Sequence, residues 1–267
     1  MMDLSGLKVC VLQTDNRPTL DYLLKTQEVN KKWCNILKYD YLFLNLDDFK
    51  YGGSMHPATK KIFVMNDTLQ NAAYDIFVFL DSDAWIQNGY WLNDIIRNLI
   101  GNERKQGCFS RDPYLPNNTF INSGSFILKN NDSTKGMYAN IIDDLYDNLK
   151  YHFEWPYDQY YISKYVFENK EDFFIFNTLI MNTPLGKVLR HNWQKTQKMF
   201  DDLDVLMECL NYEDVDVDKS RFIEEGSHDD REFPNTGDIC YEKFADMERE
   251  LLQANYSGNR DTPKALI

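Results

Sequence analysis

The sequence predicts an α/β protein with a mixed, mostly parallel sheet that is flanked by helices. Short apolar runs rich in aromatic and β-branched residues alternate along the chain with segments of helical spacing. Residues 76–80 are apolar on both faces, as in a buried parallel strand. With 267 residues, of which 43% are hydrophobic and 15% aromatic, the chain is long enough for one large core.

The first part of the chain contains successive pairs of a strand and a helix. Strands rich in aromatic, leucine and valine residues are predicted at residues 7–12, 39–46 and 74–80. The helices that follow them, recognised by apolar residues at helical spacing, are predicted at residues 20–33, 57–69 and 91–100. Pro57 suits the first turn of the second helix, because its missing N–H is not needed there. A polar loop is expected at 13–18 and a turn at 51–54.

The second part of the chain breaks this alternation. Strands at 108–110 and 120–128 bracket a loop, with no helix between them, and this predicts that the sheet is mixed. Further elements are predicted as helices at 137–149 and 158–167 and as a strand at 173–176.

The composition changes after about residue 200, where acidic residues become frequent. We therefore predict one domain over residues 1–200 and an acidic, helical extension over residues 201–267. One helix of the extension has Leu203, Leu206, Met207 and Leu210 on its apolar face, and a second is predicted at 241–252.

The charge of the chain excludes one class of partner. Its 42 acidic and 29 basic residues give a formal net charge of -13, which opposes binding to nucleic acid. A neutral partner, or an anion neutralised by a metal ion, fits this charge better.

The cysteines and the absence of long apolar stretches predict where the chain resides. The five cysteines are scattered, without Cys-x-x-Cys spacing, and are expected to be free thiols in a reducing compartment. No stretch reaches the roughly 20 apolar residues that cross a bilayer, and the first residues carry no signal pattern. The chain is predicted to be soluble and cytoplasmic, with no membrane anchor.

The motif Asp81-x-Asp83 follows directly after the apolar strand at 74–80. Ligands of open α/β sheets bind at the carboxyl ends of the strands, so the motif predicts a site there. Two carboxylates so close together offer hard oxygen ligands, which suit Mg²⁺ or Mn²⁺ better than Zn²⁺. An exposed turn is the alternative interpretation.

Two later segments contain candidate site residues. Asn122 and Gly124 lie in the strand at 120–128, where the glycine allows a ligand to approach the backbone, although it is also typical of a bulge. Asp158 and Gln159 open a predicted helix. Asp158 is first of all a helix cap, and beside a metal site it can also receive hydrogen bonds from sugar hydroxyls.

A histidine and a polar loop complete the set. His191 is either structural or the imidazole that completes a carboxylate metal site. The loop after the first strand, Thr14-Asp15-Asn16-Arg17, is either a plain turn or a hydrogen-bonding surface for a nucleotide base and ribose.

In this order, the features resemble the nucleotide-sugar glycosyltransferases of the GT-A fold, most closely the retaining galactosyl-, mannosyl- and xyloglucan xylosyltransferase family. The resemblance covers about the first 200 residues. It rests on the strand ending in Asp81-Ser82-Asp83, the later segment 121–128, the pair Asp158-Gln159, His191, and the basic pair Lys60-Lys61 before the metal-binding strand.

The resemblance implies a Rossmann-like sheet and a site for Mn²⁺, or Mg²⁺, held by Asp81, Asp83 and His191. A UDP-sugar would be the donor, and a glycan or another hydroxyl compound the acceptor. Further roles implied for the donor are contacts to the diphosphate or ribose by Lys60 or Lys61, contacts near the metal by Ser82, and a sugar site lined by Asn122 and Gly124. Asp158 and Gln159 would lie beside the anomeric carbon.

Two other functions remain open from the sequence. A haloacid-dehalogenase-type phosphatase also has an apolar strand that ends in Asp-x-Asp, and it would use Asp81 as its nucleophile. In that family, however, the motif lies near the amino terminus. A non-catalytic module that binds nucleotide sugars is the other alternative.

Overall fold

The fold is built from two sheets and six α-helices in the part of the chain that the computed structural model describes, residues 6–50, 55–112, 120–147, 149–176, 178–193 and 195–211. The strands are β1 (Val9–Asp15), β2 (Asp40–Asn45), β3 (Ile76–Leu80), β4 (Ala84–Ile86), β5 (Gly107–Arg111), β6 (Ile121–Lys129), β7 (Phe173–Phe176), β8 (Met181–Thr183) and β9 (Leu189–His191). The helices are α1 (Asp21–Leu37), α2 (Pro57–Asn71), α3 (Gly89–Gly101), α4 (Asp132–Asp147), α5 (Asp158–Glu168) and α6 (Gln197–Asn211).

The larger sheet has the strand order β2-β1-β3-β6-β5-β7 and is mixed. Strands β2, β1 and β3 are parallel to one another, and β5 is parallel to β7. Strand β6 is antiparallel to both of its neighbours, β3 and β5. The prediction of a mixed, mostly parallel sheet flanked by helices is therefore confirmed.

The core lies on both faces of this sheet, because successive side chains of a strand point to opposite faces. Val78 packs on one face with apolar residues of α1, α3 and α6. Phe77 and Phe79 pack on the other face with apolar residues of α2, α4 and α5. All five residues of β3 are buried, which explains why the sequence shows a continuous apolar run there.

The last described helix crosses the domain boundary expected at residue 200. The predicted helix that contains Leu203, Leu206 and Leu210 is confirmed as α6, and these three leucines are buried in the same core cluster as α1. Helix α6 begins at Gln197 and ends at Asn211, so it continues the packed structure past residue 200. The division into 1–200 and 201–267 stays a prediction, since the residues beyond 211 lie outside the description.

The polar loop expected at 13–18 begins later than predicted. Gln13, Thr14 and Asp15 belong to β1, because they continue its parallel pairing with β2 as far as Asn45. All three are buried. The strand therefore carries polar side chains at the edge where the sequence suggested a loop.

A second, smaller sheet was not predicted. It has the order β4-β9-β8, and each of its strands has three residues. Strands this short show no alternation of apolar and polar residues that a sequence pattern could reveal.

Four cysteines can be placed, and none of them is bridged. Cys10, Cys34 and Cys108 are buried free thiols, and Cys209 is an exposed one. Burial raises the pKa of Cys10 to about 12, which makes it unreactive. Cys240, the predicted turn at 51–54 and the predicted helix at 241–252 lie outside the described residues. Among the described helices, none combines the length and the apolar character that crossing a bilayer requires.

Candidate metal centre

The Asp-x-Asp motif forms a tight turn at the carboxyl end of β3. The N–H of Ala84 donates to the carbonyl of Asp81 at 3.0 Å, and β4 begins at Ala84. Asp81 is fastened to β6, because its N–H donates to the carbonyl of Gly124 at 2.8 Å. The motif therefore stands at the edge of the larger sheet where the sequence predicted a site.

The smaller sheet brings His191 to this turn. Strands β4 and β9 pair antiparallel, with Ala84 opposite His191, and the N–H of Asn192 donates to the carbonyl of Asp83 at 2.9 Å. The imidazole Nε2 consequently lies 3.1 Å from Oδ1 of Asp83 and 4.0 Å from Oδ2 of Asp81. One ligand atom from each of the three residues lies within 4.8 Å of the others.

This set of donors fits a divalent cation. Two carboxylates and one imidazole are ligands that Mn²⁺ and Mg²⁺ accept in proteins. Asp83 and His191 are buried and Asp81 is half-buried, with 24% of its side chain exposed, so the group is not an ordinary surface cluster of acids. The structure thus brings together the three residues that the sequence predicted as metal ligands.

Asn122 and Gly124 of β6 fix the orientation of the imidazole. Nδ1 of His191 lies 3.1 Å from Oδ1 of Asn122, which leaves Nε2 directed at the carboxylates. The same Asn122 oxygen accepts from the N–H of Gly124 at 3.0 Å. A Cβ atom on Gly124 would overlap Nδ1 and Cε1 of His191, so only glycine leaves room for the ring.

Of the two lysines predicted on α2, one faces the cluster. Nζ of Lys61 lies 2.8 Å from Oδ1 of Asp81 and 3.1 Å from Oδ2 of Asp158. Lys60 instead lies 3.8 Å from the exposed carboxylate of Asp47. Of the two, Lys61 is therefore the one that lies beside the Asp-x-Asp motif, and the contact with the diphosphate or ribose stays a prediction.

The helix-cap interpretation of Asp158 is wrong. Asp158 is the first residue of α5 and Tyr157 occupies the cap position, where no side-chain cap hydrogen bond forms. The carboxylate of Asp158 is buried against Lys61 instead. Lys61 thus links the start of α5 to the Asp-x-Asp turn through one ammonium group.

The charges of the cluster shift its pKa values in opposite directions. Burial raises the pKa of Asp83, but the neighbouring His191 and Lys195 outweigh burial and hold that pKa well below its usual range. For Asp81, burial raises the pKa by more than Lys61 and His191 lower it. Burial lowers the pKa of Lys61, yet Asp158 and Asp81 together raise it above its usual range.

Gln159 and Asn122 meet at a residue that the sequence analysis missed. The side-chain amides of Gln159 and Asn122 both donate to Oδ2 of Asp112, at 2.8 and 3.2 Å. Asp112 is 8% exposed and stands just after β5. No motif singled it out, because its role depends on the pairing of β5 with β6.

The residues predicted at the end of the first strand lie beside the motif. Arg17 donates two hydrogen bonds to Asp15, from Nε to Oδ1 and from Nη2 to Oδ2, both at 3.0 Å. Burial raises the pKa of Asp15, but hydrogen bonds from Arg17 and Ser82 bring the net shift below its usual range. Thr14 is buried in β1, and Asn16 is half-buried.

Lys195 is a second site residue that the sequence analysis missed. Its Nζ lies 3.4 Å from Oδ2 of Asp83 and 4.9 Å from the ring centre of Tyr22. The only signal in the sequence is a lysine shortly after His191, in a segment with no regular pattern. A lysine side chain therefore lies beside each aspartate of the motif, Lys61 beside Asp81 and Lys195 beside Asp83.

Solved structures of glycosyltransferases share this architecture. A glycosyltransferase involved in the glycosylation of the major capsid of PBCV-1 matches with a TM-score of 0.57 at 13% identity, over 75% of this chain and 99% of that one. The galactosyltransferase LgtC, in complex with donor and acceptor sugar analogs, matches with a TM-score of 0.51 at 9% identity, over 75% and 94%.

The apo-form glycosyltransferase GlyE of Streptococcus pneumoniae TIGR4 matches with a TM-score of 0.50 at 11% identity, over 75% of this chain and 62% of that one. No family model and no curated protein matches the sequence. The structural matches show that the chain has the GT-A fold, as the resemblance in sequence implied.

Proposed function

We propose that this chain is a metal-dependent glycosyltransferase that moves a sugar from a UDP-sugar to a hydroxyl group of a glycan or another acceptor, with retention of the anomeric configuration. One observation carries the proposal. Within a GT-A fold, Asp81, Asp83 and His191 converge at the carboxyl end of β3, with the imidazole Nε2 directed at both carboxylates.

The charge of the cluster suits the departure of a diphosphate. A divalent cation bound by Asp81, Asp83 and His191 would supply the positive charge that stabilises the leaving group. The chain adds ammonium groups of its own. Lys61 at Asp81 and Lys195 at Asp83 are both close enough to contact a phosphate that approaches the carboxylates. This arrangement explains how an acidic chain can bind an anionic donor.

The nucleoside and the sugar would occupy the two sides of this centre. We assign the uridine to the end of β1, where Thr14, Asp15, Asn16 and Arg17 offer hydrogen-bonding groups beside Ser82. We assign the sugar to the side of Asn122, Gly124, Asp158 and Gln159. The side chains of Asn122 and Gln159 are held there by Asp112.

Retention is supported by the surroundings of Asp158, a carboxylate on the side assigned to the sugar. Asp158 is 5% exposed and paired with Lys61, so it is poorly suited to act as the free base that an inverting reaction requires. Leaving-group stabilisation would then carry most of the catalysis, and the sugar would become oxocarbenium-like before the acceptor attacks.

The proposal is tested with a panel of nucleotide sugars and Mn²⁺, with release of UDP as the readout. We expect one donor to be hydrolysed slowly without any acceptor, and chelation of the metal by EDTA to stop this hydrolysis. Release of phosphate from simple phosphate esters, with no turnover of any nucleotide sugar, would instead favour the phosphatase alternative. Binding of UDP-sugars without turnover would favour a binding module.

The stereochemical part has its own test. Once the donor and an acceptor are known, the anomeric proton of the first product is observed by NMR during the reaction. Retention predicts that the product has the anomeric configuration of the donor. The opposite anomer as the first product would overturn retention while leaving the transferase assignment intact.

A further inference from the structure

Three polar side chains form a buried cluster directly beneath the Asp-x-Asp turn. They are Gln13 of β1 and Thr26 and Asn30 of α1, and each of them is 0% exposed. Burying polar groups in a core is costly unless their hydrogen bonds are made. A cluster of three in an apolar layer is therefore tolerated only where its hydrogen bonds are made.

The hydrogen bonds of this cluster go to the main chain of residues 81, 82, 84 and 86. Gln13 Nε2 donates to the carbonyl of Asp81 at 2.8 Å. Thr26 Oγ1 donates to the carbonyl of Ser82 at 2.9 Å, and the carbonyl of Leu23 is a second acceptor for the same hydroxyl at 3.0 Å. Asn30 Nδ2 donates to the carbonyl of Ala84 at 3.2 Å, and Asn30 Oδ1 accepts from the N–H of Ile86 at 2.9 Å. The turn between β3 and β4 is thus held along its length.

Additional hydrogen bonds fix the side chains of the cluster relative to one another. Gln13 Nε2 also donates to Thr26 Oγ1 at 3.1 Å, and Gln13 Oε1 accepts from Asn30 Nδ2 at 3.3 Å. The hydroxyl of Tyr41 on β2 donates to the same oxygen at 2.8 Å. These contacts determine which end of the Gln13 amide points at Asp81, because only the nitrogen can donate.

The hydrogen bonds from the cluster to the turn end on main-chain atoms and not on the carboxylates. The cluster therefore acts on Asp81 and Asp83 only through the backbone that carries them. Asp81 and Asp83 are one residue apart, and the repulsion between their carboxylates favours a movement of the two side chains away from each other. The location of the cluster suits the task of preventing this movement.

We infer that Gln13, Thr26 and Asn30 are positioning residues, which hold the main chain of residues 81–86 so that Asp81 and Asp83 can bind a divalent cation together. The inference rests on the metal centre of the proposed function. It assigns to the first strand and helix a role distinct from contact with the nucleotide, since the three side chains lie in the core.

The opposite end of β3 offers a matched control. Thr134 is also 0% exposed, and its Oγ1 donates to the carbonyl of Lys129 at 2.6 Å. Lys129 pairs with Ile76, the first residue of β3. Thr26→Val on α1 and Thr134→Val on α4 therefore each replace a buried hydroxyl by a methyl group of similar size. One of them lies near each end of β3.

The test is a titration of the full chain with Mn²⁺, in which electron paramagnetic resonance reports the free ion. For Thr26→Val we expect Mn²⁺ affinity to fall by roughly tenfold, the effect typical of outer-shell partners of a metal site. Thr26→Ser should restore the affinity, because it restores the donor to Ser82. Thr134→Val should bind Mn²⁺ like the wild type, even if both valine variants melt a few degrees earlier.

A milder variant covers the case in which Thr26→Val does not fold. Tyr41→Phe removes only the outer donor to Gln13, and we expect it to weaken Mn²⁺ binding by roughly two- to threefold, as for one hydrogen bond. Wild-type affinity in the folded variants of Thr26 and Tyr41 would overturn the positioning role alone. A wild-type chain that binds no Mn²⁺ would overturn the metal centre, and the positioning role with it.

Discussion

An aspartate flanks each end of strand β3, and the two aspartates have different partners. Asp75, just before the strand, is exposed, and its carboxylate accepts from the main-chain N–H of Lys8 at 2.8 Å. Asp81, just after the strand, faces the side chains of Lys61 and His191. An aspartate whose partner is a backbone amide fastens one strand to the next, whereas one that faces side-chain cations and another carboxylate can exchange its partners for a ligand.

The topology of the sheet explains this difference. Strands β1 and β3 are parallel, so their polar carboxyl ends meet at one edge. Strand β6 runs antiparallel to β3, so its first residues reach the same edge and its last residue, Lys129, reaches the other. Asn122 and Gly124 therefore lie at the same edge as Asp81. Next to Asp75, the side chain of Asn130 donates to main-chain carbonyls, those of Ala72 and Tyr74.

The largest effect is expected from removing a ligand at the carboxyl end. Asp83→Ala removes the carboxylate that lies 3.1 Å from His191, and Mn²⁺-dependent binding of UDP should be lost. We expect a loss beyond roughly 100-fold, since even outer-shell changes reach that range. Isothermal titration with UDP, with and without Mn²⁺, measures it. Asp75→Ala is the control at the other end and should bind UDP normally; equal affinity in both variants would refute the metal assignment.

The next effect concerns the stability of the cluster. Lys61→Met leaves the buried carboxylate of Asp158 and the half-buried one of Asp81 without their shared cation, and breaking a buried pair such as Lys61–Asp158 costs about 3–5 kcal/mol. The free energy of unfolding in urea measures this. The neighbouring variant Lys60→Met should lose only about 0–1 kcal/mol, because Asp47 is exposed. A similar small loss in both variants would show that Lys61 does not hold the cluster together.

A moderate effect is expected where β6 passes His191. Gly124→Ala adds a methyl group that overlaps the imidazole, which should destabilise the fold by about 1–3 kcal/mol and weaken Mn²⁺ binding. Gly136→Ala on α4 is the matched control, because a Cβ there meets nothing within 4 Å. That variant should be stabilised by about 0.5–1 kcal/mol, as for alanine in a helix. Thermal melts and the Mn²⁺ titration report both effects.

The smallest effect is a dependence of stability on pH at the end of β1. The pKa of Asp15 is lower in the folded chain than its unfolded value of about 3.9. Its ionised form therefore stabilises the fold above pH 4, and this contribution is lost as the pH falls through the folded pKa. The difference in unfolding free energy between wild type and Asp15→Asn should shrink as the pH is lowered. A difference that stays constant between pH 7 and 3 would contradict this.

Much of the larger sheet and its helices could be predicted from the sequence, because these elements are long enough to show a period. Residues 76–80 are apolar throughout, and α2 begins at the predicted Pro57. The strands of the smaller sheet could not be predicted, since they contain three residues each. Their existence depends on pairing between segments that are distant in the chain.

The candidate site divides in the same way. Asp81, Asp83 and His191 were recognised because carboxylates after an apolar strand and a later imidazole form a familiar ordered set. Asp112 and Lys195 were missed, because their contacts arise only when β5 meets β6 and when β9 meets β4. Gln13 was assigned to a loop, whereas its polar side chain is fully buried and faces the Asp-x-Asp turn. Tertiary pairing, which no local pattern encodes, supplies these residues.

The pairing of β4 with β9 has a consequence for how the centre comes into being. Asp83 and His191 lie far apart in the chain, and closing so long a loop costs conformational entropy that a nascent chain must overcome. A cation that bridges them would act as a reversible cross-link across the whole span between the two strands. Since it would bind the folded chain and not the unfolded one, each tenfold rise in free cation above the dissociation constant would add about 1.4 kcal/mol to stability. The supply of metal would then change the fraction of the chain that is folded.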